Sequence, residues 1–112
     1  MEATETLLEN FRNEVEQMIR THYTNNFPSM ATYTLPLITL EEGKKYVRVV
    51  RADKHLPSGN ITGRNVYCFV NKENGDILKP AGWKAPAKHA RGSIHNANVL
   101  DGCNVYGVAY LR

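Results

Sequence analysis

VYCFVNKENGDIL, residues 66–78, decides how the rest of the chain is read. Val66 to Val70 is a β-branched and aromatic run of the kind that suits a pleated, half-buried surface. Asn74-Gly75 then separates it from the short run Asp76-Ile77-Leu78, and Asn-Gly is the dipeptide that best fits a type I′ hairpin turn. Strands joined by so tight a turn are antiparallel. The sheet is therefore expected to be antiparallel, with residues 66–78 at its centre.

Working outward, Tyr46 to Asp53 alternates, with Val47 and Val49 on one face and Tyr46, Arg48 and Val50 on the other. Pro57, Gly59, Asn60 and Gly63 mark a loop over residues 54–63. Thr32 to Leu40 alternates loosely before a turn through Gly43, and Pro36, which cannot donate to a ladder, assigns that strand to an edge. Residues 104–111 alternate weakly and are expected to return to the sheet.

The N-terminal segment has the other period. Leu7, Leu8, Phe11, Val15, Met18 and Ile19 recur at helical spacing, opposite Glu5, Glu9, Arg12, Asn13, Glu14 and Glu16. Thr6 and Glu9 have capping-box spacing, with Thr4 as the alternative cap. Arg20 suits the negative end of the helix, and Asn25, Asn26 and Pro28 stop it. One apolar stripe needs one partner surface. The expected fold is α+β, a single domain with an N-terminal helix in residues 1–25 packed on an antiparallel sheet of four to five strands in residues 32–112.

A length of 112 residues with 42% hydrophobic and 22% charged residues is ordinary for one soluble globule. No apolar run approaches the roughly 20 residues that span a bilayer, so no membrane partner is expected. The N-terminus carries acids where an export signal carries lysines. Cys68 and Cys103 make neither a CxxC pair nor a disulfide framework, which suits reduced thiols in a cytoplasm.

Charge is unevenly spread. Residues 1–43 carry seven acids against Arg12 and Arg20, whereas residues 44–112 carry twelve lysines and arginines against Asp53, Glu73, Asp76 and Asp101. No acid occurs from Ile77 to Leu100. Such asymmetry points to an anionic partner, or to an acidic helix folded over a basic half. The basic centre is KPAGWKAPAKHARG, residues 79–92. Ala85-Pro86 reads as the entry to a short helical turn that Gly92 closes, with Lys84, Lys88 and Arg91 at spacings that share one side of it.

Those residue types suit a phosphate. Arg91 would supply a bidentate fork, Lys84 and Lys88 point charges, and His89 a hydrogen bond. Trp83, the only tryptophan, would stack on a nucleobase, an interaction worth about 1–3 kcal/mol per base. Arg48, Arg51 and Arg64 would join them if neighbouring strands bring them close. No CxxC or HExxH motif and no glycine-rich phosphate loop is present, so no metal or cofactor is expected. His89 and His95 could act as an acid–base pair on a phosphodiester without metal, but no nucleophile with an adjacent base marks an enzyme. Six tyrosines and the basic half would also fit a single nucleic-acid strand, although neither RNP aromatics nor a helix-turn-helix is visible.

The run VYCFVNKENGDILKPAGWKAPAKHARGSI and the ending YGVAYLR resemble a family of short uncharacterised proteins encoded by tailed bacteriophages, over residues 46–112. His95-Asn96 departs from the acidic or aromatic residues of that family's pattern. The resemblance implies a phage product in a host bacterial cytoplasm and carries over no catalytic residue. The expectation is a non-enzymatic protein that binds a phosphate-bearing nucleotide, as a sponge for a host immune messenger and in a form compatible with a homodimer or higher oligomer. The alternatives are a single-strand binder, a metal-independent phosphodiesterase and a virion structural protein.

Overall fold

The computed structural model describes residues 2–95, 103–104 and 107–108, and for residues 2–4, 89, 91, 103–104 and 107–108 the backbone alone. Helix α1 (Glu2–Asn26) is followed by one turn, α2 (Pro28–Ala31), and by strands β1 (Thr34–Glu42), β2 (Tyr46–His55), β3 (Ile61–Asn71), β4 (Asp76–Pro80) and β5 (Pro86–Ser93). These five strands pair in chain order as one antiparallel sheet. The fold is α+β, as the two sequence periods require. The short strands β6 (Cys103–Asn104) and β7 (Gly107–Val108) pair with each other, and β7 comes close to β3 and β4 without joining the sheet.

The helix stripe makes the core. Leu8, Phe11, Val15 and Ile19 are buried with Ile38, Val47, Val49, Cys68, Val70, Ile77 and Ile94. Cys68 forms no disulfide and is buried inside this layer. The face of the sheet away from α1, here the outer face, has a buried row of its own, since Phe69 pairs with Leu78 and both are buried, as is Val50. The alternation of β2 thus holds as read.

α1 begins at Glu2, so Thr6 lies inside it and Glu9 binds Arg12 instead of closing a capping box. Arg20 sits well before the last turn, which holds no basic residue. β1 is an edge strand, as Pro36 requires. The loop expected over 54–63 shrinks because β2 runs on to His55 and β3 starts at Ile61.

The central turn also differs. Asn71 and Gly75 close it through a bond from the Gly75 N–H to the Asn71 carbonyl at 2.8 Å. Gly75 alone there has positive φ, at 76°, so Asn74 is not in a type I′ turn and the loop has four residues, 72–75. The side chains of Asn71 and Asn74 instead accept the N–H groups of Glu73 and Asp76. Space also favours Gly75, because a Cβ there would meet Cγ1 of the buried Ile94 at 2.9 Å.

The larger correction concerns residues 85–92. From Pro86 on they form a strand, not a helical turn, with Gly92 opposite Ile77 and Ala85 left in the loop before it. Residues three or four apart share a side on a helix but not by rule on a strand. The pairing of β4 with β5 is broken by register shifts, so β5 is an irregular edge. Two further shifts bend β3, at Tyr67 and beside Gly63 (φ 67°).

Candidate functional site

Direct pairing in the antiparallel register puts Glu41 opposite Arg48 and Arg48 opposite Phe69, all on the outer face. Arg48 donates to Glu41 at 2.8 Å, and Arg64, from beside the β3 bulge, reaches the other oxygen of the same carboxylate. Above them folds the β4–β5 loop, residues 81–85, closed by bonds from the Ala81 and Gly82 N–H groups to the Ala85 carbonyl. Arg48 Nε donates to the Trp83 carbonyl at 2.8 Å. The guanidinium carbons of Arg48 and Arg64 lie 4.8 and 5.2 Å from the indole centroid. Cation–π contacts at such distances favour the indole staying put.

Both guanidiniums support the indole, and Trp83 remains 40% exposed. Beside it, between the β1–β2 turn and the β4–β5 loop, a cleft of about 240 Å³ has Tyr46 and Phe69 in its lining. Lys44, Lys45, Lys84 and Arg48 line it with Glu41 and Glu42. Lys72 holds the Gly43 carbonyl at 3.0 Å and stands 3.6 Å from Glu42.

Of the residues chosen from sequence, Trp83, Lys84, Arg48 and Arg64 therefore come together. Arg51 does not: it pairs with Ile38 on the helix face and donates to the Tyr23 hydroxyl at 2.8 Å. Lys88 is exposed on β5 and, like Lys84, reaches no carboxylate among the described residues. His89 and Arg91 contribute backbone to β5, and their side chains lie outside the described residues. His95 is exposed over Gly75. Among the described residues no three His, Cys, Asp or Glu side chains gather as a metal site.

Sequence reasoning passed over Glu41, Lys44 and Lys45. Their signal was the cross-strand register, since Gly43 at the turn aligns Glu41 with Arg48. It also passed over a triad on α1. Glu16 is buried and accepts the backbone N–H of Ile38 at 2.9 Å. Arg12 donates to the Ile38 carbonyl at 3.1 Å and Arg20 to the Pro36 carbonyl at 3.0 Å. Both arginines pair with Glu16, at 3.2 and 3.3 Å. A hydrogen bond to Glu9, helped by the charges of Glu16 and Glu9 against partial burial, holds the Arg12 guanidinium above its ordinary pKa. The visible signal was Arg and Glu at four-residue spacing along one side of the stripe.

The chain belongs to a family of unknown function (DUF7717). The match covers residues 1–107, so the family includes the N-terminal helix, which the resemblance over residues 46–112 had left out. No curated protein and no solved structure matches the chain. No helix among the described residues is long and apolar enough to cross a membrane.

Proposed function

We propose that this protein is a non-enzymatic module that binds a phosphate-bearing nucleotide on the outer face of its sheet. The observation that supports this reading is the setting of Trp83: an indole fastened by Arg48 and Arg64, still 40% exposed, beside a cleft lined by lysines. A fastened aromatic with an open side is a stacking platform, and nearby cations draw the phosphate. Lys84 belongs to the site directly, Lys88 is an exposed cation on the neighbouring strand β5, and Arg51 is excluded from the site by facing α1.

The resemblance to short tailed-phage proteins supplies a biological setting. In a bacterial host cytoplasm such a binding module acts by sequestration, holding a nucleotide messenger of host defence away from its receptor. The test is to incubate the purified protein with a panel of cyclic nucleotides, linear nucleotides and ADP-ribose derivatives, then heat it and analyse what is released by mass spectrometry. Release of an intact nucleotide is the expected result. A nucleotide of altered mass would make the protein an enzyme, and no uptake would end the nucleotide reading.

A further inference from the structure

We propose that the cleft between the β1–β2 turn and the β4–β5 loop receives the ligand's phosphate, and that it selects a terminal phosphate monoester over a cyclic phosphodiester. The inference rests on the nucleotide-binding reading above and narrows it to one ligand class.

The partners of the two acids in the cleft carry the argument. Both oxygens of Glu41 are taken, by Arg48 and Arg64, and Glu42 faces Lys72. Lys44, Lys45 and Lys84 then line the same cleft without reaching any carboxylate among the described residues. Three lysines gathered around one concavity repel each other unless an anion enters. The two arginine forks nearest the cleft are occupied by Glu41, so recognition falls to lysines. These act as compact point charges that read the amount of charge more than its planar shape. A phosphate monoester carries about −1.5 to −2 charges at neutral pH with three free oxygens. A cyclic diester carries a single charge and has two of its oxygens tied into the ring.

Size agrees with this. A cleft of about 240 Å³ is smaller than the roughly 300–1,000 Å³ of sites that enclose a whole small molecule. It takes the phosphate end of a nucleotide and leaves the base outside. Arg48 lines the cleft and also touches the Trp83 ring, so a base leaving the cleft meets the indole.

The experiment titrates the full chain by calorimetry with the 5′-monophosphates of adenosine, guanosine, cytidine and uridine, their 3′,5′-cyclic counterparts, and pyrophosphate. At least one 5′-monophosphate is expected to bind about tenfold or more tightly than its cyclic form, as one extra charge-assisted contact gives. Pyrophosphate should compete with it. The double variant Lys44→Ala/Lys45→Ala, in an exposed turn, should erase that preference with an unchanged melting temperature. Trp83→Ala should weaken both forms alike. If cyclic forms bind as well as linear ones, or the double variant keeps the preference, the cleft assignment fails while nucleotide binding stands. If none of these nucleotides binds, the cleft assignment fails, and uptake from the wider panel above decides the nucleotide reading.

Discussion

Phe11 and Glu16 lie on neighbouring stripes of α1, and they show what a single side chain's surroundings decide. Phe11 has no exposed surface and packs among residues of both layers. Phe11→Ala should therefore cost about 3–5 kcal/mol in urea denaturation, as large core truncations do. Glu9→Ala should cost no more than about 0.5 kcal/mol, because its bridge to Arg12 is surface-exposed. Glu16 reads as a fourth exposed acid of the helix, after Glu5, Glu9 and Glu14, and there the sequence misleads. Its carboxylate holds the Ile38 N–H and two arginines in a buried setting. Glu16→Ala leaves the buried Ile38 N–H without its acceptor and takes from Arg12 and Arg20 the acid they share, and should cost about 3 kcal/mol in the same titration. Helical spacing tells which residues share a side; it does not tell that a strand's free edge lies within reach of one of them.

Elements were legible where their pattern was long. The six apolar positions of α1 and the alternation of β2 each repeat often enough to survive local exceptions. β5 was not legible, because Ala, Lys and a proline at its start are local helix signals, and pairing with β4 overrides local preference in so short a segment. That mistake moved the expected cation cluster. The cations that do gather are brought together by the β1–β2 and β4–β5 connections, which no local spacing links. The β4–β5 loop can be followed directly, since Trp83 is the only tryptophan. Arg48→Ala removes the bond to the Trp83 carbonyl and one support of its ring. Its fluorescence should shift to the red and become more accessible to iodide, while the melting temperature changes little. An unchanged spectrum would mean that Arg48 does not fasten the loop.

Across the whole molecule, part of the charge asymmetry turns out to be internal. Glu41 and Glu42, from the acidic end of the chain, meet Arg48, Arg64 and Lys72 from the basic end. The helix keeps its own arginines for its own acid and for β1. What is left over around the cleft and at the exposed Lys88 of β5, namely Lys44, Lys45, Lys84 and Lys88, is modest, and that sets an expectation for salt. A binder that follows a strand loses affinity with a log–log slope near −0.7 per phosphate contacted. This protein should show the shallow slope of one or two phosphates and no gain with oligonucleotide length. A slope that steepens from tetramer to dodecamer would instead favour the single-strand reading. The triad of α1 also bears on how copies of the molecule meet. A bare edge strand is a template on which another chain can add its own. At Pro36 and Ile38 that template is already filled by Arg12, Glu16 and Arg20, so the sheet cannot grow past β1 there. Opening it should change the manner of failure as well as the stability. Compared at equal fraction folded, Glu16→Ala should scatter light and seed fibres where Phe11→Ala, with its seal intact, stays clear.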